Sequence, residues 1–510
     1  MSLFGPSLIA AASSASIRIL GFIRDVLLAQ VLGAGPAADA FLAAFRAPNA
    51  IRRILAEGGL NPAFIPLYTR LHAENLKEAQ NFAKDSFSGL VLVLLGLLAL
   101  LELFTSFFAL ILFPGLNGEA ASLAIWYSRL CFPLMVGVSL AACLSALLNA
   151  ERRIALAALA PNIVNVTMIV ALLLSNVFSL SQSSRGAWVA LSAGLSGFLH
   201  LAIMVYAIRY RLSWFRLKKP HLTHDVKLFL KSAAPTVLIV GTAQISIIAA
   251  AFAASFLPSG ISWLYYAERL FQFPLGFVGT VTGLVLLPEL ASLIASQNKP
   301  KCIDVQNRAL ETALLFSFPA SVALFILAPP IIHLLFERGA FSSEDTYGAA
   351  LALKGLAIGL PFGAIGKVLS QTVFVASSLR SAVFASMASI LATILFALLF
   401  VSPFGIFGVC FAISLGLMVH ASACGFILHL ASLWKLDARF YKRTCSTVAA
   451  TLIMAVFLIV FIWCFGALSW TKLISLCLGG MCLFAVSAFL FGAVTLKDLQ
   501  DIRWSKGKKR

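Results

Sequence analysis

Apolar residues come in long unbroken runs, separated by short stretches rich in glycine, proline and charge. About fourteen runs recur, at roughly 7–33, 37–61, 86–113, 120–148, 156–178, 187–208, 228–256, 262–295, 309–336, 346–376, 382–401, 405–431, 444–466 and 473–495. At ~1.5 Å per residue, each is long enough to cross, or nearly cross, ~30 Å of hydrocarbon as a helix. Pro114-Gly115 and Pro403-Phe404-Gly405 are typical breaks. The runs do not alternate polar and apolar positions, which excludes a membrane β-barrel. Residues 7–33 lack a basic leader, and Arg18 and Arg24 interrupt them, so the pattern predicts a retained first span and not a cleaved signal peptide. The fold class expected is an all-α polytopic membrane protein: two six-helix lobes plus two extra C-terminal helices.

Composition removes the alternatives. The 510 residues are 61% hydrophobic and 11% charged, far from the roughly 25% charge of soluble domains. The net charge of +18 needs no nucleic acid, because its placement is asymmetric. With the N-terminus in the cytoplasm, 26 Lys and Arg fall on the cytoplasmic side, 3 on the other and 9 inside the spans. By the positive-inside rule both termini are cytoplasmic. The longest polar stretch, Arg209–Lys231, predicts a short helix lying on the membrane surface, anchored by Trp214 and Phe215. The expected organisation is an N-terminal lobe at 1–212, an amphipathic interfacial linker at 213–227, a C-terminal lobe at 228–433, and spans 13–14 with a basic tail at 434–510. The 9 cysteines are scattered, with no CxxC and no His/Cys cluster, so neither a disulfide framework nor a metal or cofactor site is expected.

The 9 interior basic residues, Arg18, Arg24, Arg46, Arg52, Arg53, Arg129, Arg269, Lys354 and Lys367, carry most of the functional information. A charge at mid-bilayer costs at least ~2.5–3.5 kcal/mol and ordinarily faces a partner or a cavity. Arg18 falls near the midplane of the first span and shares a helix face with Asp25; Arg53 and Glu57 are spaced to pair along one helix. Arg46 and Arg129 are placed to snorkel or to bond carbonyls. Two readings compete for Arg18, Arg24, Arg52 and Arg269: buried ion pairs that fix register, or a basic cavity for an anion. Only Asp25, Asp39 and Glu57 stand against five arginines in the first two spans, which favours the anion. Arginine's planar fork suits phosphate or carboxylate. Pro48-Asn49 and Pro274 with Gly276 break the second and eighth spans, as at transporter binding sites. A basic residue precedes each of these prolines, a faint repeat relating spans 1–6 to 7–12. Enzyme chemistry is not expected: the outward loops offer Glu119, Glu337, Glu344 and Asp345, and no histidine.

Several segments resemble one family. They are Arg18-Ile-Leu-Gly-Phe-Ile-Arg-Asp25, Gly33-Ala-Gly, Asp39-Ala-Phe and Pro48-Asn-Ala-Ile-Arg-Arg-Ile-Leu-Ala-Glu-Gly58. Leu147-Leu-Asn149, Ala160-Pro-Asn162, Tyr265-Tyr-Ala-Glu-Arg269, Pro274-Leu-Gly276, Leu287-Pro288 and Glu337-Arg-Gly-Ala-Phe341 follow in order. Together they resemble the MurJ (MviN) flippases for lipid II, within the multidrug/oligosaccharidyl-lipid/polysaccharide exporter superfamily. The resemblance implies a bacterial inner-membrane protein of peptidoglycan synthesis. It implies a central cationic cavity for the lipid's pyrophosphate and sugars, with substrate contacts at Arg18, Arg24, Arg52 and Arg269. Asp25, Asp39, Asn49, Glu57 and Lys367 would support them, and spans 13–14 would hold the polyprenyl tail. The partners implied are lipid II, membrane lipids and the cell-wall synthesis machinery. Some relatives bind sodium through acids on spans seven and eleven; Ala376-Ser-Ser-Leu-Arg380 and span seven offer none here. Rival functions are a flippase for another polyprenyl-pyrophosphate glycan and a drug exporter, although drug exporters usually carry cations.

Overall fold

The computed structural model describes residues 4–55, 60–151, 154–211, 214–281, 286–376, 379–466 and 469–495. Among them all regular structure is helical. The helices are α1 (Phe4–Leu32), α2 (Pro36–Arg52), α3 (Leu60–Glu74), α4 (Leu76–Leu103), α5 (Thr105–Leu112), α6 (Gly118–Cys131) and α7 (Pro133–Ala150). Then come α8 (Ile154–Leu159), α9 (Asn162–Val177), α10 (Gln182–Arg211), α11 (His224–Ala254), α12 (Gly260–Val281) and α13 (Leu287–Ala295). The last are α14 (Lys299–Phe336), α15 (Ser343–Ala357), α16 (Leu360–Ala376), α17 (Leu379–Leu430), α18 (Ala438–Phe465) and α19 (Trp470–Leu490). Polar side chains start several of them. Asn75 accepts from the Lys77 amide at 3.0 Å and Asp437 from the Phe440 amide at 2.8 Å.

Among the described residues, 8 helices are long and apolar enough to cross a membrane, or 9 if α15 and α16, bent by 44°, count as one. The expected fourteen is not reached, for identifiable reasons. α1 and α12 carry interior charges, and α2 is only 17 residues long with Pro48 inside it. The 52 residues of α17 join two expected spans across Gly405, whose φ of 55° and ψ of −137° are not helical. That glycine ends the Pro403-Phe404-Gly405 break.

Packing divides the chain into two units, Met1–Ser262 with Phe336–Asp345, and Trp263–Leu335 with Thr346–Arg510. Within the first unit α11 packs on α3 and α2. The first unit's core includes Phe64, Tyr68, Phe82, Met135, Leu144 and Phe229. α7 and α10 approach through glycine: a Cβ on Gly137 would lie 2.2 Å from the Gly197 carbonyl carbon. In the second unit Leu310, Leu314, Val368 and Leu428 form one cluster, while Leu327, Met454, Leu458 and Leu476 join α14 to α18 and α19. The buried Glu311 of α14 receives Arg308 and Arg443, and Arg308 also reaches Asp437 at the cap of α18. The start of α18 is thereby moored to α14.

The linker corrects one expectation. Residues 214–223 form no surface helix. They are strapped along α4 by the buried Asp85, which takes Lys218 Nζ at 2.8 Å and the His221 amide at 3.0 Å. The Lys218 amide donates to Ser88 Oγ, and Phe215 packs edge-on against Phe87 at 5.2 Å. These side chains satisfy backbone donors that a helix would otherwise have satisfied itself.

Candidate substrate site

The first unit carries most of the arginines singled out in the sequence. Arg24 is buried on α1. Its Nε and Nη2 donate to Asp25 Oδ1 at 3.0 and 2.7 Å, and its Nη1 donates to Asn165 Oδ1 on α9 at 2.9 Å. The guanidinium also stands 5.9 Å from the Phe45 ring. Asp25 therefore pairs with its chain neighbour, where helical spacing put it on the face of Arg18. Arg18 lies two turns earlier and is exposed. Asn165 itself donates back to the Ile17 carbonyl at 3.3 Å, and Asn162 donates to Ser16 Oγ at 2.9 Å. α9 thus grips the α1 segment on both sides of Arg18.

At the far end of α2, Arg52 Nε donates to Asn49 Oδ1 at 3.1 Å. The two residues are three apart, in the turn after Pro48, and the helix loosens into a π turn at Arg53–Leu55. His200 on α10 is buried. Arg46 is buried and its Nη1 reaches the Ile247 carbonyl at 3.5 Å, the second of the two roles open to it, and not snorkelling. Glu57, and with it the Arg53–Glu57 pair, lies outside the described residues.

Asp39 does different work from the arginines. It is buried at the start of α2 and accepts from the Ser262 amide at 2.8 Å, capping the first turn of α12. Ser259 Oγ donates to the Ala34 carbonyl at 2.8 Å nearby. On the other side of the same turn, the Ala340 amide donates to the Gln30 carbonyl at 2.8 Å. Gly33 (φ 67°) and Gly339 (φ 60°) let these backbones touch: a Cβ on Gly33 would sit 2.3 Å from the Ala340 oxygen, and one on Gly339 2.3 Å from the Gln30 oxygen. Two motifs read separately in the sequence, Gly33-Ala-Gly and Glu337-Arg-Gly-Ala-Phe341, are two halves of one interlock.

The second unit contributes Arg269 and Lys367. Arg269 Nη2 donates to the Tyr265 hydroxyl at 2.9 Å, and the guanidinium covers that ring at 4.6 Å from its centre. Lys367 Nζ donates to the Leu275 carbonyl at 2.8 Å. A groove of about 1010 Å³ opens in this unit, lined among others by Leu314, Phe318, Phe325, Phe362, Phe426 and Trp434. Phe440 and Thr444 also line it, so the start of α18 takes part and, among the described residues, α19 does not. Sequence reasoning passed over Asn165, and it gave Tyr265 only as part of a family segment, not as a partner of Arg269. The signal for each was there: an asparagine inside the apolar run Ile163–Leu174, and a tyrosine one turn before Arg269.

The family profile described as lipid II flippase MurJ matches residues 28–478. A relative from Rhizobium tropici named probable lipid II flippase MurJ is 36% identical over 370 residues, covering 71% of this chain and 69% of its own length. A solved structure of lipid II flippase MurJ in an inward closed conformation superposes with a TM-score of 0.78 at 24% identity, covering 96% of this chain and 99% of that one. An inward-facing multidrug resistance MATE transporter of the MOP superfamily superposes at 0.67 and 18% identity, covering 83% and 98%. These last two likenesses establish a shared all-helical membrane fold. With the profile spanning most of its length and that level of identity to the Rhizobium protein, the chain belongs to the lipid II flippase MurJ family.

Proposed function

We propose that this chain moves lipid II from the cytoplasmic to the periplasmic leaflet of the bacterial inner membrane, by alternating access through a cationic cavity. The observation that carries the reading is the charge imbalance of the first two spans, five arginines against three acids, in a member of this family. A pyrophosphate bearing sugars cannot enter hydrocarbon with its hydration shell. Fixed guanidinium forks at Arg18, Arg24, Arg52 and Arg269 replace that shell, two donors at a time. Asp25 with Asn165, Asn49, and Tyr265 aim three of those forks, and Glu57 supports them. The polyprenyl tail stays in an apolar environment throughout, and the groove of the second unit has the chemistry to hold part of it. No bond is made or broken, so the protein acts as a carrier and not an enzyme. Each elementary charge carried across the potential is worth ~2.3 kcal/mol per 100 mV, so membrane potential resets the empty carrier. Both termini are cytoplasmic, and the partners are lipid II, membrane lipids and the cell-wall synthesis machinery.

The test is binding. Purified protein should bind lipid II and lose most of that affinity when the pyrophosphate is removed. Equal affinity for a neutral polyprenyl glycan would contradict the assignment of the arginines. Preference for an organic cation would favour a drug exporter of the same fold.

A further inference from the structure

Lys367 and Gly279 are a fitted pair in the second unit. Lys367 on α16 donates from Nζ to the Leu275 carbonyl of α12 at 2.8 Å. A Cβ on Gly279 would lie 2.7 Å from the same nitrogen and 3.3 Å from Lys367 Cδ. Gly279 is one turn after Leu275, so the carbonyl and the notch lie on one face of α12. The fit repeats one turn away in the opposite sense. A Cβ on Gly363, one turn before Lys367, would meet Leu275 Cδ1 at 3.1 Å. The leucine side chain of α12 seats on a glycine of α16, and the lysine of α16 seats on a glycine of α12.

This bracing falls where α12 is weakest. Pro274 has no N–H for the carbonyl four residues back, and Gly276 and Gly279 follow it within five residues. Such a segment holds its direction at membrane depth only if neighbouring side chains take up its backbone groups. Lys367 adds a second, side-chain donor to the Leu275 carbonyl just past the proline, in a notch that a Cβ on Gly279 would fill.

We propose that Lys367 is a positioning residue that acts through α12, clamping its post-proline segment to α16 and so setting the direction of the helix that carries Arg269. This departs from an anion-binding role for Lys367. Its consequence for transport rests on the flippase reading; the clamp itself does not.

Two measurements on four variants test it. Hydrogen exchange of the purified protein reads the amides of 275–281, and export of lipid II in cells depleted of their own flippase reads transport. Lys367→Gln keeps a shorter, neutral donor, Lys367→Met keeps none, Lys367→Arg keeps the charge and overfills the notch, and Gly279→Ala fills the notch from the other side. Exchange at 275–281 should rise about tenfold or more in the Met, Arg and Gly279→Ala variants, and less in Gln. Export should rank Lys, then Gln, then Met and Arg. Gly279→Ala should cost export with Lys367 present and add little in the Lys367→Met background. An Arg variant that exports as well as the original while Gln fails would make residue 367 an anion reader and overturn the proposal. Unchanged exchange in Lys367→Met would overturn it too. The expected exchange pattern in a protein that exports no lipid II would uphold the clamp and refute the flippase reading instead.

Discussion

Arg24 shows how far a neighbour decides what an interior arginine can do. Its fork is shared between Asp25 and Asn165, so its charge is partly balanced before any substrate arrives. Both readings weighed for the interior arginines then apply at once, and they separate by variant. Arg24→Ala leaves a buried carboxylate at Asp25, a loss of about 3–5 kcal/mol, and should lower the amount of protein in the membrane. Adding Asp25→Asn should restore the amount without restoring transport. Arg18→Ala removes an exposed side chain, so the protein should accumulate normally and fail to rescue cells lacking their flippase. Immunoblots of membranes and a growth assay on the same strains check all three. The positions of these arginines were legible in the sequence because charge stands out in apolar runs. Their partners were not. Helical spacing linked Asp25 to the face of Arg18, but a long guanidinium can fold back onto the next residue, and Asn165 is 141 positions away from Arg24.

Among the elements, glycines and loops carry the specificity. Gly33 has φ of 67° and a Cβ there would strike the Ala340 carbonyl; Gly118 has φ of 58° with nothing nearby. Gly118→Ala should therefore cost only about 1 kcal/mol, the price of the left-handed backbone. Gly33→Ala carries that cost and a backbone collision besides, so its thermal unfolding should fall well below that of Gly118→Ala. The strap is tested by proteolysis. Asp85→Ala removes the acceptor for Lys218 and His221 and should open 214–223 to trypsin at Arg216, Lys218 and Lys219, while the original protein resists. The break at Gly405 could be read in advance, because Pro and Gly act locally. The strap could not: an amphipathic stretch reads as a surface helix unless the buried Asp85 on another helix is known to compete for its backbone.

For the whole molecule, the all-helical membrane class followed from hydropathy alone and agrees with the shared fold of the family. Which unit α11 falls in depends on the neighbours it packs against and not on where polar stretches fall. Orientation is checked by single cysteines: one at Asn117 should react with an impermeant reagent in intact cells, and one at Lys219 should not. Transport itself is checked most directly in cells depleted of their own lipid II flippase and supplied with this chain. Lipid II reaching the outer leaflet is read by its cleavage with an impermeant enzyme added outside. Cleavable lipid II should return with the original chain and be lost with Arg18→Ala, Arg52→Ala or Arg269→Ala at equal protein levels. Lipid II that stays inaccessible despite abundant original protein, or returns fully with all three variants, would contradict the assignment.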